Sequence, residues 1–470
     1  MLLKYFYDDK LAHASYLVGC QACNVALVVD PSRDVEKYIS VAKAEGLRIV
    51  GVTETHIHAD FLSGSRELAS RTGATLYLSA EGGSEWSYPY AASYAHQPLH
   101  DGDTFSIGNI HIQVLHTPGH TPESISFLVT DGGAKAPKPM GIFSGDFVFV
   151  GDIGRPDLLE KAAGQKGTSD ELARKMYHSL KRFRELPDFL QVWPAHGAGS
   201  ACGKALGAIP SSTVGYEKMV NWALNEPDED AFVAALLAGQ PEPPRYFAMM
   251  KKLNNEGPTL LDEVAASKHV SASSETLAAW LKEGQVVDVR SAHQFAEKHA
   301  VGTLNITLNK SFVNWAGWLL DYDRPIYVLC DEQQAGAVRK DLQSIGLDGL
   351  VETMDVSVLN HPDVSVESYG EVRAEDIAGP IERGEVFLLD VRNHSEWEEG
   401  HIPQATHVML GQLPDRVREI PTDKPIVVQC RTGGRSAIAA SVLQAHGVSN
   451  VQNLLGGYEE WLKLGHATTV

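Results

Sequence analysis

Several features of exported and membrane-bound proteins are missing from this sequence. No apolar run approaches the roughly 20 residues of a membrane-spanning helix, and residues 1–9 lack the basic start and apolar core of a signal peptide. The five cysteines are too sparse for a disulfide framework. Basic residues are also scarce, because 40 lysines and arginines stand against 60 acidic residues and leave a net charge of -20. We therefore expect a cytoplasmic protein with reduced thiols and with no nucleic-acid or membrane partner.

The length of 470 residues predicts two to four domains at about 150 residues each. Over residues 1–255, short apolar runs alternate with helical patterns, which is typical of a layered α/β domain. Residues 237–257 are rich in proline and charge, and they predict the end of this domain and the start of a linker. Helices are predicted at 35–45 and 64–72, and strands at 27–31, 47–52, 75–78, 110–115, 125–129 and 189–193.

The second half of the chain repeats itself at a spacing of about 100 residues. A segment ending in Asp-Val-Arg at 286–290 recurs at 388–392, and a strand that ends at Cys330 recurs as one that ends at Cys430. Each copy runs strand, Asp-Val-Arg, helix, strand ending in cysteine, helix. The sequence therefore predicts two copies of one α/β unit, at residues 270–362 and 367–470.

Metal-capable side chains follow the apolar strand at 47–52. His56, His58 and Asp60 stand at alternate positions, so in an extended segment they project to one side and can converge on one point. Phe61 comes directly afterwards and offers no lone pair for a metal.

Further candidate ligands occur where later strands give way to loops. They are His120 in Pro-Gly-His-Thr, Asp146 in Ser-Gly-Asp, and His196 in Pro-Ala-His. A single polar residue at a strand end is most simply a satisfied structural group. The joint order and context of all these residues instead predict a metal site.

The order HxHxD, PGHT, SGD and PAH resembles the metallo-β-lactamase superfamily over residues 10 to 250. This resemblance implies an αββα sandwich with the ligands on loops at one edge. The superfamily includes zinc hydrolases, di-iron flavoproteins and single-iron persulfide dioxygenases, so the fold alone does not give the reaction. In its binuclear hydrolases the histidine after the HxHxD aspartate holds a second metal. Because Phe61 stands there, a second metal would have only Asp60, His196 and a shared Asp146, and a single metal is favoured.

The segment Gly-Arg-Pro-Asp at 154–157 resembles the GRxD segment of persulfide dioxygenases. That resemblance implies one Fe(II) per chain, held by His56, His120 and Asp146 as the facial triad of non-haem iron oxygenases. His58, Asp60 and His196 would then orient the ligands or relay protons. For substrate binding the candidates are Arg155 and Tyr177, with a structural salt bridge and core packing as the respective alternatives, and Cys202, which follows His196 closely enough to hold or relay sulfur.

Near the C-terminus a strand delivers Cys430 into the loop Arg-Thr-Gly-Gly-Arg-Ser, which a helix follows. Glycines let backbone N–H groups turn inward, and the helix N-terminus and two arginines, Arg431 and Arg435, add positive potential that favours a thiolate. Residues 367–470 resemble the rhodanese sulfurtransferases, which implies that Cys430 is catalytic with Arg431 and Arg435 beside it. Four residues separate Cys430 from Arg435, whereas the related cysteine phosphatases have five.

The other cysteines carry weaker signals. Cys330 in the first copy lacks both arginines and the paired glycines and has two acidic neighbours, which raise a thiol pKa and repel sulfur anions. We therefore expect residues 270–362 to be a degenerate, structural rhodanese-like domain. Cys20 and Cys23 have redox spacing but lie between apparent strands, and we expect both to be buried and packed.

Across nearly its whole length the chain resembles bacterial fusions of a persulfide dioxygenase with rhodanese domains. The resemblance implies that a low-molecular-weight thiol persulfide reacts with dioxygen to give sulfite, and that Cys430 transfers sulfur onto sulfite to give thiosulfate. It also implies a homo-oligomer. Two alternatives remain open: a binuclear zinc thioester hydrolase of the glyoxalase II type with accessory rhodanese domains, and a sulfur-carrier or persulfide-sensing protein.

Overall fold

The computed structural model describes residues 1–158, 160, 167–204 and 206–470. The chain forms two compact units. The first comprises Met1–Val264 together with Gln343–Gly346, and the second comprises Ala265–Leu342 and Leu347–Val470. The first unit therefore runs past the predicted boundary at residue 255. The second unit contains the predicted copy at 367–470 and all of the predicted copy at 270–362 except Gln343–Gly346.

Two six-stranded sheets make up most of the first unit. The strands of the first sheet are β1 (Leu2–Asp8), β2 (His13–Cys20), β3 (Val25–Val29), β4 (Arg48–Thr53), β5 (Thr75–Ser79) and β6 (His96–Leu99). They pair in chain order, antiparallel from β1 to β3 and parallel from β3 to β6. The strands of the second sheet are β7 (Thr104–Ile107), β8 (Ile110–His116), β9 (Ile125–Asp131), β10 (Gly141–Gly145), β11 (Gln191–Pro194) and β12 (Ser212–Thr213). They also pair in chain order.

Helices cover the outer faces of both sheets. The first-unit helices are α1 (Glu36–Ala44), α2 (Ser65–Thr72), α3 (Thr168–Arg184), α4 (Val214–Val220), α5 (Trp222–Asn225), α6 (Glu229–Leu237) and α7 (Tyr246–Glu256). Tyr38 of α1 and Leu68 of α2 share one core with the first sheet. Met176 of α3 shares a second core with Ile142 and Val192 of the second sheet.

A third core fills the space between the two sheets. It contains Leu27 and Val29 of β3 together with Ile112 and Val114 of β8. In β8, buried Ile110, Ile112 and Val114 alternate with exposed His111 and Gln113, as expected for a strand with one face on a core. With helices on both outer faces, the unit is the αββα sandwich that the family resemblance implies.

Most predicted elements of this unit match the structure to within one or two residues. Helices α1 and α2 and strands β3, β4, β5, β8 and β9 all lie where the hydrophobic pattern places them. The strand predicted at 189–193 is shifted, because β11 begins only at Gln191. The Leu190 N–H donates to the Pro187 carbonyl in a turn, and the Phe189 side chain is 57% exposed.

The linker predicted at 237–257 is wrong over its second half. Tyr246, Phe247 and Met250 of α7 are buried, so the helix is part of the first unit. Its Asn254 amide donates hydrogen bonds of 2.8 Å to the carbonyl oxygens of both His58 and Phe61. The segment therefore supports the backbone of the HxHxD loop, a role that its proline-rich composition concealed.

The second unit contains two parallel five-stranded sheets. The first has β13 (Lys268–Val270), β14 (Gln285–Asp288), β16 (Leu304–Asn305), β17 (Ile326–Leu329) and β18 (Leu350–Met354), and the second has β20 (Gly370–Val372), β21 (Phe387–Asp390), β22 (Ala405–His407), β23 (Ile426–Gln429) and β24 (Val451–Leu454). A short pair joins β15 (His299–Ala300) to β19 (Val366–Glu367). The strand orders are β13-β18-β17-β14-β16 and β20-β24-β23-β21-β22. Because equivalent strands occupy equivalent places, the sequence repeat is also a structural repeat.

The helices of the second unit follow its strands in the same alternation. They are α8 (Ser274–Glu283), α9 (Ala292–Glu297), α10 (Phe312–Leu319), α11 (Glu332–Ser344), α12 (Ala374–Glu382), α13 (His394–Glu398), α14 (Leu413–Arg416), α15 (Gly434–Ala445) and α16 (Gly457–Lys463). Among the described residues of the whole chain, no helix is both long enough and apolar enough to cross a membrane.

The Asp-Val-Arg segment makes the same contacts in both copies. Arg290 donates to the carboxylate of Asp288 through Nε at 3.0 Å and Nη2 at 2.6 Å. Arg392 does the same to Asp390 at 3.1 and 2.7 Å. Each arginine also donates to a backbone carbonyl eight residues further on. These pairs fix the chain where it leaves the strand.

Candidate functional site

Three predicted ligands converge in the first unit. His56 follows β4, His120 lies in the loop between β8 and β9, and Asp146 follows β10. One donor atom from each lies within 4.8 Å of the others. The Asp146 Oδ2 atom is 3.4 Å from His120 Nε2 and 3.8 Å from His56 Nε2. All three side chains are buried, so the strand ends bring them together inside the protein.

Hydrogen bonds fix both imidazole rings of this trio. The Nδ1 atom of His120 lies 2.9 Å from the carbonyl oxygen of Arg155, and Nδ1 of His56 lies 3.0 Å from the Thr55 hydroxyl. A carbonyl can only accept, so His120 donates from Nδ1 and leaves Nε2 as a lone pair facing Asp146. Burial lowers the pKa of both histidines, which keeps the rings neutral, as metal ligation requires.

Unpaired atoms at this point fit a cation. Within the described part of the chain, His56 Nε2 and both carboxylate oxygens of Asp146 are buried without a hydrogen-bond partner. Such atoms cost free energy unless something pairs with them. Two imidazoles and one carboxylate are the donor set of the non-haem iron triad, and zinc accepts the same donors.

A second trio lies against the first. Donor atoms of Asp60, His196 and Cys202 lie within 4.8 Å of one another. The His196 Nε2 atom is 3.3 Å from Asp60 Oδ2 and 3.4 Å from Asp146 Oδ1, so the two trios meet at Asp146. The sequence argument counted Asp60, His196 and Asp146 as a poor second metal set. The structure adds the Cys202 sulfur to that set.

His58 differs from the other histidines of the motif. Its Nε2 atom is 3.1 Å from Asp30 Oδ1, and Asp30 also accepts the Thr55 N–H at 2.7 Å. Burial alone would lower the pKa of His58, but the Asp30 carboxylate raises it to about 9. The ring therefore carries a positive charge near neutral pH. Asp30 was not predicted from the sequence, although its position at the exit of β3 was a usable signal.

Phe61 fills the position of the missing histidine with a fully buried ring. Its centroid lies 4.3 Å from that of His58 and 3.8 Å from that of His13. The His13 ring in turn is 6.0 Å from the rings of His58 and His196. His13 was missed by the sequence analysis because it stands in no motif and reaches the site through long-range contacts, which include a backbone bridge to His196.

The predicted substrate-binding residues have structural partners. The Arg155 guanidinium is fully buried and pairs with Asp157 through two contacts of 2.6 Å. The backbone of Arg155, in contrast, contacts the candidate site. Its N–H donates to the Cys202 carbonyl, and its carbonyl accepts from His120 Nδ1. Tyr177 is buried and donates its hydroxyl proton to the Pro227 carbonyl. Both alternatives weighed for these side chains, a salt bridge and core packing, are present.

In the second unit, Cys430 directly follows β23 and precedes α15. Its Sγ atom accepts hydrogen bonds from the Gly433 N–H at 3.2 Å and from the Ser436 hydroxyl at 3.4 Å. Gly433 has φ +103, a left-handed conformation that favours glycine and turns its N–H toward the sulfur. The predicted loop geometry is therefore present, with the thiol at the N-terminus of a helix.

The two arginines of this loop are ion-paired. Arg435 forms a fork with Glu396 at 2.6 and 2.7 Å, and Arg431 contacts Glu459 at 2.7 Å. Although burial opposes the effect, Arg435 holds the pKa of the Glu396 carboxyl below its usual value. The sequence analysis expected both arginines to add positive potential at the thiol. The structure shows that two carboxylates offset part of it.

The structure also bears on the predictions made for Cys330, Cys20 and Cys23. Burial, with Asp331 beside it, raises the pKa of Cys330 to about 12, which supports a structural thiol. The prediction that Cys20 and Cys23 are both buried is wrong in part. Cys20 is buried, but Cys23 lies exposed in the turn between β2 and β3.

Comparison with known proteins agrees with these observations. A model of the metallo-beta-lactamase superfamily matches residues 8–196, and one of the rhodanese-like domain matches residues 373–464. A 2.1 Å crystal structure of a metallo-beta-lactamase from Staphylococcus aureus subsp. aureus COL is similar, with a TM-score of 0.68 and 44% sequence identity over 75% of this chain and 99% of that one.

Curated relatives of the first unit have different activities. The mitochondrial persulfide dioxygenase ETHE1 of Bos taurus is 27% identical over 199 residues, 42% of this chain and 68% of that protein. The hydroxyacylglutathione hydrolase of Gloeobacter violaceus is 33% identical over 192 residues, 38% of this chain and 62% of that protein. Other curated relatives are matched over only 54% of their length. The sandwich, its ligand loops and the cysteine loop thus point the same way: the chain belongs to the metallo-β-lactamase superfamily and carries a C-terminal rhodanese-like domain.

Proposed function

We propose that the chain is an iron-dependent persulfide dioxygenase coupled to rhodanese sulfur transfer. The substrates would be a low-molecular-weight thiol persulfide and dioxygen, and sulfite would be carried on to thiosulfate. The observation that carries the proposal is the trio of His56, His120 and Asp146, whose donor atoms lie within 4.8 Å of one another. His56 Nε2 and both Asp146 oxygens in it have no hydrogen-bond partner. The ETHE1 relative supports it. A bound Fe(II), one per chain, would supply the binding and activation of dioxygen and of the substrate sulfur.

The assignment divides the chain into three functional parts. Oxidation belongs to residues 1–255, sulfur transfer belongs to 367–470, and 270–362 is a structural rhodanese-like domain. Placing both reactions on one chain keeps sulfite at high effective concentration near its acceptor. A homo-oligomer stays a prediction of the resemblance.

His58 gives the oxidation site a fixed positive charge. Asp30 holds the ring through Nε2 at 3.1 Å and keeps it protonated near neutral pH. A thiol persulfide is an anion at that pH, so a buried imidazolium beside the ligands would attract it electrostatically. Asn254, which donates to the His58 carbonyl, keeps this residue in place.

Asp60 and His196 form a group that can hold and pass one proton. Burial raises the pKa of Asp60, while Asp146 and Asp60 raise that of His196 against the effect of burial. Their facing atoms are 3.3 Å apart. Burial, followed by Asp60 and Asp146, also raises the pKa of Cys202, so this residue would act as a thiol beside the pair rather than as a free thiolate.

Cys430 performs the second reaction. Its sulfur would attack the outer sulfur of a second persulfide, so that the thiol leaves and a cysteine persulfide remains. Sulfite then takes that outer sulfur to form thiosulfate and returns the thiolate. The Gly433 N–H and the Ser436 hydroxyl stabilise negative charge on Cys430 during both steps.

Metal content and oxygen uptake test this proposal directly. Purified protein should contain one iron per chain and consume oxygen with the persulfides of glutathione, coenzyme A or bacillithiol. Asp146→Asn and His120→Ala should lose both iron and oxygen uptake. His58→Gln is the matched control, since it should keep the iron and lose activity chiefly through a higher KM. Protein that binds no iron when supplied with Fe(II), or that binds iron but consumes no oxygen with any of these persulfides, would overturn the proposal.

The trio of Asp60, His196 and Cys202 favours a second candidate function, a binuclear zinc thioester hydrolase. A thiolate is a soft ligand that zinc binds well, and the hydroxyacylglutathione hydrolase relative supports this reading. Phe61 opposes it, because the phenyl ring takes the place of a nitrogen donor. Two zinc ions per chain, with thioester turnover and no oxygen uptake, would establish this alternative.

A further inference from the structure

Cys20 and Cys23 meet at a tight turn in the first unit. Cys20 ends β2, β3 begins at Val25, and the Cys23 N–H donates to the Cys20 carbonyl at 3.2 Å. Residues at the first and fourth positions of a β-turn have Cα atoms less than about 7 Å apart. Disulfides span Cα separations of roughly 4.4–6.8 Å. The two cysteines are therefore placed where a disulfide can form with little movement of the backbone.

The tip of a neighbouring hairpin lies over both thiols. Gly108, between β7 and β8, has φ +59. A Cβ atom there would lie 2.8 Å from both Cys20 Sγ and Cys23 Cβ. The next residue, Asn109, donates its backbone N–H to Cys20 Sγ at 3.3 Å. A glycine thus lets the hairpin approach closely and deliver an N–H group to one sulfur.

The two thiols are not equivalent. Burial raises the pKa of Cys20, but hydrogen bonds from the Asn109 N–H and from Cys23 outweigh burial and leave it below its usual value. The hydrogen bond to Cys20 raises the pKa of Cys23, which is solvent-exposed. Cys20 is therefore suited to be the attacking thiolate, and Cys23 is suited to resolve the product.

This pair is separate from the metal site. His13, which contacts Phe61, begins β2, and Cys20 ends the same strand. Seven residues of extended strand span about 23 Å, so Cys20 lies about that far along β2 from His13. The rhodanese-like loop belongs to the other unit, so neither site described above includes these cysteines.

We propose that Cys20 and Cys23 form an oxidisable dithiol that accepts sulfane sulfur from persulfides. The Cys20 thiolate attacks the outer sulfur of a persulfide, the S–S bond breaks, and the departing thiolate takes a proton. Cys23 then attacks Cys20 Sγ, which forms the disulfide and expels hydrosulfide. One persulfide and two cysteine thiols give one thiol, one sulfide and one disulfide. The cysteines lose two electrons, and the sulfane sulfur gains them. Only the choice of persulfide as the oxidant rests on the proposed function.

Peptide mapping of the full-length protein tests the dithiol. Trypsin cleavage after Lys10 and Arg33 releases one peptide that contains both cysteines. The reduced protein is treated with sodium tetrasulfide as the sulfane-sulfur probe, alkylated under denaturing conditions and analysed by mass spectrometry. We expect the peptide to lose two hydrogens and to resist alkylation at both positions. In Cys23→Ser, Cys20 should instead carry one additional sulfur atom, and Cys20→Ser should leave Cys23 fully alkylated.

Sulfur on Cys430 in the same digest confirms that the dose was sufficient. Full alkylation of both cysteines at that dose would overturn the proposal. Oxidation of the pair by hydrogen peroxide but not by tetrasulfide would overturn the assignment to sulfane sulfur. The mapping needs neither iron nor oxygen uptake, so failure of the dithiol and failure of the proposed dioxygenase give different results.

Discussion

The phenyl ring of Phe61 lies with its centroid 4.3 Å from that of the His58 imidazole. Phe61 also directly follows Asp60, a member of the second trio, and its phenyl ring offers that trio no donor atom. We predict that Phe61→His adds an imidazole at this point and raises the bound metal from one ion to two per chain. Elemental analysis after dialysis against iron or zinc measures this ratio.

Phe61→Leu is the matched control for that substitution, because it changes the size of the side chain without adding a ligand. It should still bind one metal ion. If both variants bind two ions, or if both bind one, Phe61 does not determine the metal stoichiometry.

Cys430 and Cys330 directly follow equivalent strands, β23 and β17, and provide a matched pair of variants. Cys430→Ser should shift the product from thiosulfate toward sulfite while oxygen uptake persists, because only this thiol has the N–H and hydroxyl donors of the loop. Cys330→Ser should leave the product ratio unchanged, since a thiol with a pKa of about 12 stays protonated. Ion chromatography of the two anions separates these outcomes, and unchanged thiosulfate in Cys430→Ser would rule out the coupling.

Glu123 should make stability depend on pH. Burial raises the pKa of Glu123 to about 7, above its usual value of 4.5, although it accepts the Ile57 N–H at 2.7 Å. The folded state therefore binds the proton more tightly than the unfolded state. The resulting stabilisation is complete below pH 4.5 and is lost as the pH rises through 7, amounting to about 3 kcal/mol. Urea midpoints of chelator-treated protein should fall between pH 5 and pH 8 by more than those of Glu123→Gln, which keeps the acceptor but cannot ionise. Equal falls would contradict this.

The twin aspartates should differ in their contribution to stability. Asp390→Asn leaves Arg392, only 3% exposed, without its counter-charge and should cost about 3 kcal/mol. Asp288→Asn should cost less, because Arg290 is 18% exposed and can be hydrated. Thermal unfolding followed by circular dichroism compares the two variants. A larger loss for Asp288→Asn would show that solvent access does not set the cost.

The sequence was sufficient to predict those features that short motifs or repeats specify locally. His56, His120 and Asp146 each stand in a short motif at a strand end, so their convergence follows once the strands are recognised. The repeat at a spacing of about 100 residues likewise predicts that the two sheets next to Cys330 and Cys430 have the same strand order as each other. In both cases the signal lies within a few residues of the feature that it predicts.

Long-range contacts account for what sequence reasoning missed. His13 reaches the site through its bridge with His196 and its ring contacts with Phe61 and His58, and Asn254 reaches it through hydrogen bonds to the HxHxD loop. Neither residue stands in a recognisable pattern. Phe189 is an error of the opposite kind, a residue assigned to an element to which it does not belong. Its apolar side chain was taken as part of a strand, although it is exposed at a turn. Hydrophobicity indicates burial only on average, and it carries no information about distant partners.

The repeated aspartate–arginine pair bears on what the two copies share. The copy around Cys330 lacks the arginine-flanked, glycine-rich loop but has the pair of Asp288 and Arg290 with nearly the same contact lengths as its twin. The pair thus occurs both with and without that loop. It therefore accompanies the fold of the repeated unit rather than the chemistry of the cysteine.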